Sequence, residues 1–374
     1  MRIRKFATFL ALAFVIGCAN NNGVAIAGTT KSAEKSQNAA PTHISQTSIN
    51  FKLVAPESDG QFHDGLLFSE NADGTLMYFD SKGNKAFSLP DYITPSSDFY
   101  DQRAVVKSKK NNLYGYIDTK GNLTIPFQYE EAGTFSEGIA YVKAPGSSNV
   151  KLIDRAGKTI SSVNNKYASD YIFKNHLALV YAPKGNKIGY INTSGNLVVP
   201  LKYTFGRGFS EGLAVIQSDK GLYGYVDAKG TEVIPTQYKR ALDFSEGLAA
   251  VQNDKGKWGF IDKRGKAIIP FKYTGADGFS EGLASVNNER GMVGYINKTG
   301  ALVIGYQKYN SAFKFKEGIA LVGIESGSNG KFGYIDHKGK LLTKLEYKKE
   351  SSSFNNGYAV AIKTSGNAFI LKKI

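Results

Sequence analysis

The sequence has little of several residue types that enzymes and disulfide-linked proteins use. Its 374 residues include one cysteine, one tryptophan, three methionines and four histidines. A single cysteine excludes an intramolecular disulfide. The chain has no HExxH, CxxC or paired-histidine spacing, so neither a metal centre nor another cofactor site is predicted. It also lacks a long apolar run, because the stretch 6–17 is too short to span a bilayer.

The N-terminus predicts export. A basic start, MRIRK, precedes the apolar stretch and a polar segment follows it, which is typical of a signal peptide covering residues 1–17. The end of the stretch, VIGC, resembles the bacterial lipobox, in which cleavage leaves the cysteine as an acylated N-terminus. Cys18 is therefore the predicted lipidation site, and the protein is predicted to be anchored to the bacterial cell membrane or outer membrane, facing the periplasm or the exterior. The alternative is cleavage after Ala27, which would leave no anchor.

Composition divides the remaining chain into two parts. Residues 18–48 are small and polar and contain no aromatic residue, so they bury too little apolar surface to fold and are predicted to be a disordered tether. From residue 49 to residue 374 apolar and polar residues alternate, which predicts one folded domain. The formal net charge of +15 favours anionic partners. Nucleic acid is not an expected partner of an exported lipoprotein.

The folded domain is a repeat of about 36 residues, begun about nine times. A turn residue recurs at intervals of 35 to 39, at Asp80, Asp118, Asp154, Asn192, Asp227, Asp262, Asn297 and Asp336. A phenylalanine also recurs, at Phe62, Phe99, Phe135, Phe173, Phe209, Phe244, Phe279, Phe315 and Phe354. The pattern predicts three strands in each unit. An Asp-x-x-Gly turn joins the last two, since the carboxylate can accept a bond from the backbone N–H two residues on.

These motifs resemble the bacterial WG repeat family. The resemblance covers roughly residues 62–371 and rests on an aromatic-Gly pair, Ile-Asp-x-x-Gly, Ile-Pro-x-x-Tyr and Phe-Ser-Glu-Gly-Leu-Ala, in that order. Only Trp258-Gly259 has the tryptophan, and the unit at 151–167 lacks both the glycine and the proline, which puts regular stacking of that unit in doubt. The family implies no established catalytic residues, so none is assigned here.

Two all-β architectures fit such units. The favoured prediction is an open or curved superhelical stack of about nine three-stranded units, each burying its face on its neighbours. The alternative is a closed β-propeller. In the closed form, the segment INFKLVA near the N-terminus would supply the strand that the incomplete last unit lacks.

Two periodic sets of charged residues are candidate sites. Glutamates of the Phe-Ser-Glu-Gly runs form a ladder at Glu137, Glu211, Glu246, Glu281 and Glu317, for which hydrogen bonding within each unit is predicted and cation binding is the alternative. The candidate anion-binding residues share one turn position: Lys82, Lys120, Lys229, Arg264 and Lys338. A second row recurs in the other hairpin, at Lys220, Lys255, Arg290 and Lys331. The competing interpretation is that turn lysines only confer solubility.

The predicted function is a non-catalytic, lipid-anchored scaffold that binds a protein or an anionic polysaccharide at the cell envelope. Recurring tyrosines such as Tyr203, Tyr238 and Tyr273 would stack on sugar rings if exposed, or pack if buried. An envelope glycan hydrolase and a passive spacer lipoprotein remain the alternatives. The sequence does not define the oligomeric state.

Overall fold

A computed structural model describes residues 42–48, 52–53, 61–70, 74–164, 167, 169–184, 186–326 and 330–374. The predicted signal peptide and Cys18 lie outside these residues. Within them, the chain forms no helix that is long and apolar enough to cross a membrane. The described secondary structure consists of β-strands.

The strands form nine antiparallel sheets, each a blade of about 36 residues. Seven blades have four strands in chain order. The first three are blade 1, with β2 Lys52–Leu53, β3 Leu66–Glu70, β4 Leu76–Asp80 and β5 Lys85–Ser88; blade 2, with β6 Ile93–Pro95, β7 Arg103–Ser108, β8 Tyr114–Asp118 and β9 Leu123–Tyr129; and blade 3, with β10 Glu131–Ala132, β11 Ile139–Lys143, β12 Asn149–Asp154 and β13 Thr159–Asn164. The next four are blade 4, with β14 Phe173–Lys174, β15 Leu177–Tyr181, β16 Ile188–Asn192 and β17 Leu197–Tyr203; blade 5, with β18 Phe205–Gly206, β19 Leu213–Gln217, β20 Tyr223–Asp227 and β21 Glu232–Tyr238; blade 6, with β22 Arg240–Ala241, β23 Ala249–Gln252, β24 Trp258–Ile261 and β25 Ala267–Tyr273; and blade 7, with β26 Gly275–Ala276, β27 Leu283–Asn287, β28 Val293–Asn297 and β29 Leu302–Gln307. Blade 8 has three strands: β30 Ser311–Ala312, β31 Ile319–Ile324 and β32 Lys331–Asp336. Blade 9 combines both ends of the chain: β33 Tyr358–Ile362, β34 Ala368–Lys373 and β1 Ile44–Ser48. We call the four strand positions a, b, c and d, so that β33, β34 and β1 are b, c and d of blade 9.

The blades close into a ring, so the prediction of an open or curved superhelical stack is wrong and the propeller alternative is correct. Strand β1 pairs antiparallel with β34, from Ile44 opposite Lys373 to Ser48 opposite Phe369. Blade 1 then packs on blade 9 through a shared cluster of Phe62, Leu67 and residues of β33 and β34. Joining the two ends completes the last blade and gives its c strand a partner on both sides.

Two details of the predicted units also change. The closing strand is the segment ISQTS, which lies inside the segment predicted as a tether, rather than INFKLVA. Most units contain a fourth strand, the short a strand, in addition to the three predicted. In most blades this strand is only two residues long, for example Arg240–Ala241 in blade 6, which is too short for a periodicity to reveal it.

Each blade is buried between two neighbours because its b and c strands are apolar on both sides. Ala249 and Val251 of β23 pack in a cluster with residues of blade 5. Leu248 and Ala250, which alternate with them, pack in a cluster with residues of blade 7. Successive side chains of a strand point to opposite sides, so nearly continuous apolar sequence is required here.

The aromatic-Gly and Ile-Pro motifs make one structural feature together. In blade 6, Trp258 lies opposite Tyr273 and Phe260 opposite Ile269, so the d strand bulges over the c strand between these pairs, around its proline. A Cβ on Gly259 would lie 2.8 Å from the carbonyl oxygen of Ile269, which no side chain can occupy.

Blade 3, which lacks both motifs, shows the converse. In blade 3, Lys151 replaces the glycine, and β12 and β13 pair residue by residue from Asn149 to Leu152. The unit nevertheless forms a regular blade, because its apolar b and c residues are retained in a core cluster shared with blade 4. Loss of the motif therefore changes the d strand and not the stacking.

Candidate interaction faces

The ring has two faces that differ in the turns they present. Strands in each blade are antiparallel, so the ab and cd turns lie on one face while the bc turns and the da connections lie on the other. We call the face with the ab and cd turns the glutamate face and the face with the bc turns and da connections the lysine face.

The recurring glutamates lie in the ab turns with positive φ and bind the next blade. Glu211 accepts a hydrogen bond from the backbone N–H of Gly247 at 3.0 Å, and Glu281 accepts one from Gly318 at 2.8 Å. The other blade-to-blade acceptors are Asp64, Asp101, Glu137, Asn175, Glu246 and Glu317. The prediction of hydrogen bonds within each unit is therefore wrong, because each carboxylate reaches into the following unit.

These acceptors link every pair of consecutive blades from blade 1 to blade 9. The junction between blades 9 and 1 is made instead by Asn355, whose side-chain amide donates to the carbonyl oxygen of Phe62 at 3.1 Å. Equivalent turns of neighbouring blades come within reach of a single side chain only where the blades converge. We therefore infer that the ab turns surround the axis of the ring.

Two lysines and a histidine from the cd turns reinforce three of these links, and sequence analysis missed them. Lys263 lies 3.2 Å from Glu211, Lys298 lies 3.0 Å from Glu246, and His337 lies 3.0 Å from Glu281. These three side chains directly follow the recurring Asp or Asn of the cd turn. That common position was the signal available in the sequence.

The pKa values of two of these glutamates reflect their partners. Burial opposes ionisation of Glu211, but hydrogen bonds from Lys263 and from the N–H of Gly247 outweigh it and hold the pKa of the carboxyl group below its ordinary value. Burial likewise opposes ionisation of Glu246, and Lys298 and the N–H of Gly282 lower its pKa in the same way. Both carboxylates are thus charged structural acceptors at neutral pH.

The five predicted anion-binding residues lie at equivalent places in the cd turns of blades 1, 2, 5, 6 and 8, on the glutamate face. The backbone N–H of each donates to the aspartate two residues earlier at 2.9 Å, which is the predicted turn: Lys82, Lys120, Lys229, Arg264 and Lys338. Their side chains are exposed, and none of them has an ion-pair partner within 4.0 Å among the described residues. The structure therefore leaves their charges available but does not bring them into one cluster.

The second row of cations lies on the lysine face. Lys220, Lys255 and Arg290 are exposed in the bc turns of blades 5, 6 and 7, and Lys331 begins the c strand of blade 8. Neighbouring cations on this face are paired across blades, as Lys187 is with Asp219 and Lys257 with Glu289. Among the described residues the four members of the row make no such pair.

The recurring tyrosines of the d strands are packing residues. Tyr203 is 3% exposed and Tyr238 is 8% exposed, so their ring faces are not free to stack on a sugar. The c-strand tyrosines are also buried, and most donate across a blade junction, as Tyr225 does to the carbonyl oxygen of Leu242 at 2.7 Å. Burial, with the negative charge of Asp243 nearby, raises the pKa of Tyr225 well above its ordinary value.

Histidines and carboxylates do not converge on a metal site within the part of the chain that the structure describes. His176 lies 3.5 Å from Glu137 and His337 lies beside Glu281, each on a separate blade junction. His43 donates its backbone N–H to the C-terminal residue Ile374 at the end of β1.

The fold and the repeated turns define a nine-bladed β-propeller. The family described as WG containing repeat matches residues 114–144, 188–221, 223–258, 258–289, 294–326 and 332–364, more than half of the chain. The chain belongs to this WG repeat family. A search of curated proteins found no match.

Among solved structures, BamB from Moraxella catarrhalis has a TM-score of 0.40 and 13% sequence identity, covering 76% of this chain and 97% of BamB. Kluyveromyces lactis Hsv2 has a TM-score of 0.34 and 11% identity, covering 68% of this chain and 93% of Hsv2. KlHsv2 with loop 6CD replaced by a Gly-Ser linker has a TM-score of 0.36 and 8% identity, covering 73% and 94%. Similarities at this level say nothing about partners.

Proposed function

We propose that the protein is an exported, lipid-anchored propeller scaffold of the bacterial cell envelope that binds an anionic partner and has no catalytic role. Anchoring rests on the lipobox-like sequence that ends at Cys18. Binding rests on one structural observation: cations recur on exposed turns of both faces without ion-pair partners among the described residues, whereas the recurring glutamates are engaged in blade-to-blade bonds. A side chain that recurs without a structural partner is available to a ligand.

The carboxyl groups favour a scaffold over a glycan hydrolase. A hydrolase needs a carboxylic acid with a raised pKa beside a carboxylate. Among the described residues, Asp118, Glu211 and Glu246 have displaced pKa values, and in each, hydrogen bonds outweigh burial and lower the pKa. These groups would remain ionised and could not serve as the general acid.

The anchor and the binding function can be tested separately. Replacing Cys18→Ser should move the protein from the membrane fraction to the soluble fraction, because acyl chains supply the membrane affinity. Unchanged membrane association of this variant would contradict the lipid anchor.

For binding, the purified full-length protein should retain an anionic probe at low salt and release it as salt screens the charges. Suitable probes are a short poly-glutamate peptide and an anionic glycan. A passive spacer would bind neither. The five cd-turn cations and the bc-turn row remain competing predictions for the contact residues.

A further inference from the structure

The positive charge of the ring is distributed unequally between its faces. Assigning each charged residue to the turn or strand end where it lies gives nearly equal numbers of basic and acidic side chains on the glutamate face. On the lysine face, basic side chains outnumber acidic ones nearly two to one. The excess charge of the folded ring is therefore concentrated on the lysine face.

Ion pairing on the lysine face increases this contrast. Several of its acidic side chains are already bound, for example Glu131 by Lys143 at 2.9 Å and Glu346 by Lys363 at 3.2 Å. Pairing removes equal numbers of both charges, so the unpaired remainder is more strongly basic. On the glutamate face, by contrast, free cations such as Lys229 share the surface with the carboxylates of the ab turns.

The lysine face also exposes aromatic side chains, which suit contact with a protein. Tyr92 is 42% exposed, Tyr181 at the end of β15 is 49% exposed, and Phe205 at the start of β18 is 39% exposed. The ammonium group of Lys110 lies 4.5 Å from the ring centre of Tyr92. Aromatic residues combined with charges of both signs suit contact with a protein surface.

The first described strand, β1, begins on the glutamate face, opposite the lysine face. Because Ile44 pairs with Lys373 and His43 with Ile374, the residues that lead from Cys18 enter β1 at the glutamate face. The predicted tether thus joins the ring at the face opposite the lysine face.

We propose that the lysine face docks an acidic protein, with Lys220, Lys255, Arg290 and Lys331 among the contacting cations. This inference rests on the proposed scaffold function and adds the face and the class of partner. The five cd-turn cations of the glutamate face then contribute little to docking.

Two charge-matched variants of the full-length protein test the proposal. The lysine-face variant carries Lys220→Gln, Lys255→Gln, Arg290→Gln and Lys331→Gln. The glutamate-face variant carries Lys120→Gln, Lys229→Gln, Arg264→Gln and Lys338→Gln. Each loses the same net charge, so a difference in binding reports position. With a short poly-glutamate peptide at low salt, the lysine-face variant should bind at least about tenfold more weakly than the parent, and the glutamate-face variant within about threefold of it.

Equal losses, or a larger loss in the glutamate-face variant, would overturn the inference and leave the scaffold function standing. A parent that binds no anionic probe would contradict the scaffold function itself. Vesicles containing phosphatidylglycerol provide the membrane arm, with Cys18→Ser as the background. If the lysine-face cations control vesicle binding but not peptide binding, the face serves a membrane and the inference is wrong.

A photo-crosslinker placed at Lys220 or at Lys229 extends the test to cells, because these two positions flank β20 and lie on opposite faces. A product with an acidic protein from position 220, absent from position 229 and lost when Lys255→Gln, Arg290→Gln and Lys331→Gln are added, would support the inference. A product from position 229 alone would overturn it.

Discussion

The glutamate face and the lysine face are formed by the same strands and carry similar numbers of cations, yet they use charge differently. On the glutamate face, Glu211, Glu246 and Glu281 hold backbone N–H groups of the next blade and also bind Lys or His side chains. On the lysine face, the bc-turn row leaves its cations without partners among the described residues. Charge that recurs with a partner maintains the ring, and charge that recurs without one is available for binding.

Splitting the chain between Asn253 and Asp254 should have the largest effect. This position lies in the bc turn of blade 6, so each fragment keeps only part of that blade and loses the closure between β1 and β34. Each fragment alone should lack a cooperative thermal transition by circular dichroism, because the exposed blades have no neighbour to bury their apolar sides. Mixing the fragments should restore the transition. A cooperative transition in one isolated fragment would contradict the requirement for closure.

Gly259→Ala tests the close contact between the c and d strands of blade 6, which lies in the interior between the two faces. The added methyl group would meet the carbonyl oxygen of Ile269, which lies 2.8 Å from the ideal Cβ position. The d strand must shift, which should lower the free energy of unfolding by about 2 to 3 kcal/mol. Lys151→Ala is the matched control, because blade 3 already has a side chain at this place. A control that is as destabilised as the glycine variant would show that the bulge is not the cause.

Removing one acceptor of the glutamate face should have an intermediate effect. Glu246→Ala removes the acceptor for Gly282 and the partner of Lys298, and it places alanine at a φ of 55°. A loss of about 2 kcal/mol in chemical denaturation is expected. Glu246→Asn should cost less than half as much, because asparagine tolerates positive φ and performs this role at Asn175. Equal losses in both variants would mean that the hydrogen bond contributes nothing.

Acid should weaken the glutamate face through the same groups. The pKa values of Glu211 and Glu246 are lower in the folded state than the ordinary value of 4.5. Their contribution to stability is therefore complete above that value and is lost as the pH falls through the lowered values. The double variant Glu211→Asn, Glu246→Asn has no such proton to bind, so its melting temperature should fall less steeply below pH 4.5 than that of the parent. Parallel curves would assign acid sensitivity to other carboxylates.

The sequence predicts the repeat well because each motif has a local cause. Asp262 accepts bonds from the N–H groups of Arg264 and Lys266, so its spacing to Gly265 already specifies the turn. Ring closure was not predictable in the same way. The strand ISQTS has no strong apolar pattern, and its place depends on pairing with β34, which is distant in sequence.

The site was predictable only in part. The periodicity identified Glu246 and Lys255 as recurring, but a one-dimensional repeat gives the same spacing to contacts within a unit and between units. Whether a carboxylate bonds to its own blade or to the next depends on how closely the ab turns approach each other in the ring. The separation of the bc and cd cations onto opposite faces likewise requires the strand order.

The smallest effect on stability is expected from the two charge-matched variants themselves. Their side chains are exposed and have no ion-pair partner among the described residues, and exposed charges of this kind contribute little to folding free energy. Both quadruple variants should melt within about 2 °C of the parent, because removing like charges from a basic protein slightly relieves repulsion. Glu246→Ala, one change on the glutamate face, should lower the melting temperature more than four changes in either row. If the lysine-face variant instead lost several degrees, its cations would have structural partners, and the distinction between a face that maintains the ring and a face that binds would fail.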